Sequence, residues 1–273
     1  MSHYTYKPVK FFALTLLLTW ASWFSAAYFS YQPAMLSFEM LLLVPGLLAP
    51  LVIALFMVFG SGSRDLKKDF LSRLTQIRRI NLRYTPVIFL LMPASIVLSI
   101  AFSLLLGMSA AQFKLSDQFN IMGGQVLLSL LIPILAPTFE EIGWRGYGVD
   151  SLRNRFTLLK TSIVFALLWA LWHVPLFFIN NYYQHELWKM GIFYVINFFI
   201  SILPLTIILN WLYYKNNRSI LAAILFHIMT VISAEAFCME DSAKFIQTVI
   251  LLIVAAGIVI YDKAFFTSHS SIE

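Results

Sequence analysis

Eight runs of roughly twenty residues each, almost empty of charge, take up most of this sequence, at 9–30, 39–60, 85–107, 121–144, 158–180, 190–213, 218–238 and 244–265. At a rise of about 1.5 Å per residue, each is long enough to cross a hydrocarbon core of about 30 Å as a helix. The chain is therefore predicted to be all-α, a polytopic transmembrane helix bundle forming a single integral membrane domain over 1–273. Composition points the same way: 60% of the residues are hydrophobic and 12% charged, where a soluble domain has about 45–50% and 25%. Too little polar sequence lies outside the runs for a second folded domain. The single cysteine, Cys238, excludes an internal disulfide and a cysteine-based zinc cluster.

The net charge of +6 and the pI near 9.4 raise the question of nucleic acid. The distribution answers it: the basic residues sit in short segments between apolar runs, with no basic surface interleaved with stacking aromatics, so the partner is the lipid bilayer and no nucleic acid is expected. With the N-terminus inside, only Lys114, Lys189 and Lys244 of the 19 Lys and Arg residues fall outside. That bias predicts eight spans with both termini cytoplasmic. Ser25-Ala26-Ala27 follows an apolar run as in a cleaved leader, but the run is long and fits the charge pattern, so it is read as a retained span. In 61–84, Leu66, Phe70, Leu74 and Ile77 recur at helical spacing among Arg64, Lys67, Lys68, Arg73, Arg78 and Arg79. This predicts an amphipathic helix lying on the anionic inner leaflet, with no catalytic role.

Ionisable side chains inside the apolar runs are the next constraint, since each costs about 2.5–3.5 kcal/mol on insertion scales. Three runs carry them: Glu140 and Glu141, His173, and His227. A shared polar cavity is the simplest compensation. Adjacent helical residues point about 100° apart, so the two glutamates face different ways. Arg145, four residues on, is placed to pair with Glu141 and fix the helix end. Glu140 is then left to face the interior as a general base or acid. Phe165, Trp169 and His173 share one face, so the Trp169 indole is expected to pack on the imidazole. Pro175 cannot donate to the Leu171 carbonyl, which predicts a break beside His173. Ala222 and Ala223 permit close helix approach before His227. Counting from the expected helix ends, Glu140 lies about 7 Å deep, His227 about 13 Å and His173 about 20 Å, which allows one site in the cytoplasmic half of the bilayer.

The order Glu140-Glu141-Ile142-Gly143-Trp144-Arg145, then Trp169 to His173, then His227 after a small-residue run, resembles the CPBP family of intramembrane proteases. That family takes in the CAAX prenyl endopeptidases of the Ras-converting type and bacteriocin-immunity proteins. The resemblance covers a CPBP-like catalytic core at about 121–240. It implies that Glu140 activates water, that His173 orients and deprotonates that water, and that His227 stabilises the oxyanion, with Glu141 and Arg145 structural. The family's polar residue four positions after the last histidine is here Val231, and Thr230 is the nearest hydroxyl. The cofactor stays open: Glu140, His173 and His227 hold a divalent metal such as zinc, or work with none. The substrate implied is a hydrophobic or lipidated peptide, such as a prenylated Cys-a-a-X tail, cut from the cytoplasmic side. Two other readings stand beside it: a non-catalytic immunity or scaffold protein of the same family, and a proton-coupled transporter.

Overall fold

The structure, a computed structural model, describes residues 4–116 and 126–269. Each expected span meets a helix: α1 (Pro8–Ser30), α2 (Leu36–Phe59), α4 (Thr85–Leu105), α5 (Val126–Gly143), α7 (Leu158–His173), α9 (Ile192–Lys215), α10 (Ile220–Ala236) and α11 (Ala243–Tyr261). Short helices complete the set: α3 (Arg64–Thr75), α6 (Val149–Arg153), α8 (Tyr183–Met190) and α12 (Lys263–Thr267). The start of the run at 121–144, and with it the edge of the 121–240 core, falls partly outside the described residues. Six of the helices are long and apolar enough to cross a membrane, while α10 is apolar but shorter. Large apolar side chains point outward all around the bundle, among them Leu41, Leu90, Phe193 and Ile253. Such a surface suits lipid and would be a liability in water. The chain is a polytopic helical membrane protein.

Helix starts follow local chemistry. Ser63, Thr157 and Ser219 each accept an amide N–H three residues on, which satisfies one of the orphan donors of α3, α7 and α10. Prolines inside the helices leave carbonyls without their usual donor, and lipid offers none. Side chains of α1 take over that role. Pro50 frees the Gly46 carbonyl, and Thr19 Oγ1 donates to it at 3.0 Å. Pro175 removes the i+4 donor of the Leu171 carbonyl, which accepts instead from the Val174 amide and from Trp20 Nε1 at 3.1 Å. Trp23 Nε1 also reaches the Leu43 carbonyl at 2.9 Å. Close approach is written in glycine: a Cβ on Gly46 would lie 2.1 Å from the Trp23 ring, and one on Gly143 2.4 Å from the Pro50 backbone.

The break predicted beside His173 is present: α7 ends there and passes into a 3-10 turn, Val174–Phe178, that holds Pro175. Two expectations need correction. Arg145 does not end its helix. α5 runs on through a π-helical turn, Trp144–Gly148, into α6. The rod ends at Arg153, thirteen residues past Glu140, so Glu140 lies roughly 20 Å from that end instead of 7 Å. Secondly, α3 is not simply laid on the leaflet with its cations in water, because Arg73 is wholly buried. Ile77, counted with its apolar stripe, is beyond the end of α3 and 71% exposed.

Candidate active site

Glu140 and Glu141, both in the last turn of α5, are buried in the bundle and turn to different partners. For Glu140 the partners are aromatic. Its Oε2 accepts two indole N–H groups, Trp169 Nε1 at 3.1 Å and Trp144 Nε1 at 3.4 Å. Both donors are neutral, and the other carboxylate oxygen has no protein donor in hydrogen-bond range among the described residues. The Trp169 ring lies against both histidines, with centroids 5.7 Å from His173 and 5.4 Å from His227. A single indole therefore touches all three acid–base residues singled out in the sequence. Trp169 was expected to pack on His173, and it does; its bond to Glu140 and its contact with His227 were not anticipated. Trp144, four residues after Glu140, is the other donor that the sequence reading missed.

Each histidine is held through the same ring nitrogen. His173 Nδ1 lies 2.7 Å from the Trp169 carbonyl. A carbonyl only accepts, so Nδ1 carries the proton and Nε2 of the neutral ring is a lone pair. His227 Nδ1 lies 2.9 Å from Glu141 Oε1. Both Nε2 atoms are left for other work. Trp172 closes against His173 at 4.8 Å, and its Nε1 is fixed by Thr19 Oγ1 at 2.8 Å.

Glu141 is fully buried and pairs with Arg145 at 2.9 Å, as its i+4 spacing predicted. It also joins Arg145 to His227 through one carboxylate, so its structural part extends to orienting a candidate catalytic ring. Arg145 in turn donates to Asn210 Oδ1 at 3.1 Å, and Asn210 donates to Ser162 Oγ at 3.0 Å. Its guanidinium lies over the Phe165 ring, 4.9 Å from the centroid. Two acids, one arginine and one histidine thus form a compact buried cluster whose charges can cancel, which low dielectric demands.

Below this cluster the π turn is clamped by α3. Arg73 Nη1 donates to the Arg145 carbonyl at 2.8 Å and Nη2 to the Gly146 carbonyl at 3.0 Å. Arg73 also meets Asp69 at 2.7 Å, Asp150 at 3.1 Å and the Tyr213 hydroxyl at 2.8 Å. Arg218 closes the network on Asp150 at 2.6 Å and on Asp69 at 3.0 Å. Single π turns break the backbone ladder and occur at functional sites. Here the break falls three residues after Glu141.

Thr230 Oγ1 donates to the Phe226 carbonyl at 3.0 Å, and Val231, half-buried, follows it on α10. An apolar cavity of about 400 Å³ lies beyond the end of α7, lined by Tyr31, Val174, Phe177, Phe178, His185, Trp188, Val195 and Phe199. Among the described residues, no three His, Cys, Asp or Glu side chains gather into a metal-ligating group.

Residues 122–233 match the family model described as "Type II CAAX prenyl endopeptidase Rce1-like". A curated relative from Methanococcus maripaludis (strain DSM 14266), named CAAX prenyl protease 2, is 44% identical over 266 residues, covering 97% of this chain and 98% of its own. The matched segment contains Glu140, Glu141, Arg145, Trp169, His173, Thr230 and His227, and similarity of this extent separates the chain from transporters that also bury Glu and His. The chain belongs to the Rce1-like family of type II CAAX prenyl endopeptidases and is a membrane-embedded protease.

Proposed function

We propose that the protein is an intramembrane endopeptidase that cuts near the C-terminus of a membrane-anchored peptide, prenylated at a Cys-a-a-X tail, on the cytoplasmic side. The observation that carries this reading is the grouping of Glu140, His173 and His227 around the Trp169 indole. A water held between the free oxygen of Glu140 and Nε2 of His173 gives up a proton to Glu140, and His173 directs its lone pair at the scissile carbonyl. Attack forms a C–O bond and puts negative charge on the carbonyl oxygen. His227, protonated on both nitrogens, gives Nδ1–H to Glu141 and Nε2–H to that oxyanion. Glu140 then passes its proton to the amide nitrogen, the C–N bond breaks, and a carboxylic acid and an amine leave. The apolar cavity that begins at Val174, the residue after His173, supports a lipid-modified substrate, because a chain of apolar carbons gains about 25 cal/mol for each Å² it buries there.

The test uses the purified protein in detergent or bilayer with prenylated and unprenylated peptides. Glu140→Gln, Glu140→Ala and His173→Ala should each abolish cleavage while the protein stays folded, and the prenylated peptide should be preferred. Cleavage by the wild type should survive a chelator, since the three residues suffice as acid, base and electrophile. Equal turnover by all the variants would sink the catalytic assignment.

A further inference from the structure

A groove of about 600 Å³, open along its outer side, lies between α4, α9 and α11 and shares no residue with the candidate active site. Helix ends form its mouth: Arg83 and Tyr84 lead into α4, Lys215 closes α9, and Tyr261 and Asp262 close α11. The distribution of Lys and Arg along the sequence predicts the cytoplasmic face for these ends. Val254 lies eight residues before Asp262, so the groove reaches roughly 12 Å from that end into the apolar span. Its walls there are Val87, Val254 and Ile258. Gly257 keeps the slot open between them, since a Cβ built on it would meet nothing within 4 Å.

Three charged side chains line the groove, Arg83, Lys215 and Asp262. Lys215 pairs with Asp262 at 2.6 Å, and Trp211 Nε1 donates to the same carboxylate at 3.0 Å. The charge of Arg83 is left over. Its backbone N–H donates to Asn81 Oδ1 at 3.1 Å, while its guanidinium has no hydrogen-bond or ion-pair partner among the described residues. A guanidinium offers five donors in a rigid fork that matches a phosphate. The Tyr84 and Trp211 rings meet edge to face at 5.1 Å in the mouth, and such rings with one polar end favour the depth of lipid head groups. An uncompensated cation above an apolar slot suits a molecule with an anionic head and a tail of apolar carbons. We propose that the groove holds an anionic phospholipid of the cytoplasmic leaflet, with its phosphate on Arg83 and the upper part of an acyl chain over Gly257. That leaflet is rich in anionic lipid, and basic pockets between spans on that side take such head groups. A zwitterionic lipid brings a cation that Arg83 repels, and a free phosphate has nothing to place in the slot.

The experiment titrates the full-length protein in a neutral detergent with phosphatidylglycerol, with phosphatidylcholine of the same chains, and with glycerol 3-phosphate, and reads the bound fraction by native mass spectrometry. A hydrogen bond between charged groups predicts that the wild type binds phosphatidylglycerol about 10-fold or more tighter than phosphatidylcholine. Glycerol 3-phosphate at equal concentration should not displace it. Arg83→Gln should bring the ratio of the two lipids close to one, and Arg83→Lys should restore part of it. Gly257→Leu fills the slot, keeps every charge and should weaken both lipids by roughly 10-fold, the effect of two methylenes left unburied. Equal affinity for the two lipids in the wild type overturns the proposal, and needs no variant to fold. An undiminished preference in Arg83→Gln overturns it as well. Displacement by glycerol 3-phosphate replaces the lipid with a free phosphate as occupant, and unchanged binding in Gly257→Leu removes the chain from the groove; either result sinks the assignment.

Discussion

Replacing the Trp169 indole by a phenyl ring removes one N–H and keeps most of the packing. Hydrogen bonds to charged groups contribute about 1.5–3 kcal/mol. Trp169→Phe is therefore expected to lower kcat by roughly 10- to 100-fold with little change in KM, read by steady-state cleavage of a prenylated peptide. An unchanged kcat would mean that the bond to Glu140 plays no part in turnover. Val231 supplies the opposite case. An oxyanion-hole donor contributes about 2.7–4 kcal/mol in a well-studied protease, and valine offers none. Val231→Asn should raise kcat, by up to about 100-fold if the amide reaches the oxyanion; a drop or no change would show that the site works without it. That Glu140, His173 and His227 would come together was legible in the sequence because ionisable groups in apolar runs need compensation. The Glu141–Arg145 pair was legible from helical spacing. The bond between Glu141 and His227 was not, because it joins residues 86 positions apart. The indole donors to Glu140 were hidden because a tryptophan in an apolar run reads first as core.

α3 shows how far an amphipathic pattern carries and where it stops. The spacing of Leu66 and Phe70 announced a helix with one apolar face, and that helix is present. Arg73 completes the series at i, i+4 and i+7 on that same buried face, a signal that grouping it with the other cations obscured. What no local pattern could reveal is its target: two carbonyls of a π turn some 70 residues away. Methionine at 73 would match its length, remove a donor from those carbonyls and leave Asp150 with Arg218 as its one remaining ion-pair partner among the described residues. Removing one member of a buried ionic network costs about 3–5 kcal/mol. Arg73→Met should lower the unfolding temperature in detergent and reduce activity together. Normal thermal stability would show that the clamp is dispensable.

Charge predicts how the whole molecule is oriented in the bilayer, and a chemical label can check it. Cys238 is the only cysteine and is exposed. With both termini inside, a membrane-impermeant maleimide should label Cys238 on intact cells. In the double variant Cys238→Ser, Arg78→Cys, labelling should require permeabilisation; the reverse pattern would invert the orientation. The helical, apolar character of the chain was legible because every crossing segment must satisfy its own backbone. The π turn, α8 and the depth of Glu140 were not, because they depend on which helices meet. The partnership of α1 with the proline-broken helices has an evolutionary consequence. Thr19 answers for Pro50 and Trp20 for Pro175. A lineage that exchanges either proline for a residue with an amide hydrogen is released from keeping the matching side chain, while one that retains the proline is not. The two members of each pair should drift or persist as a unit.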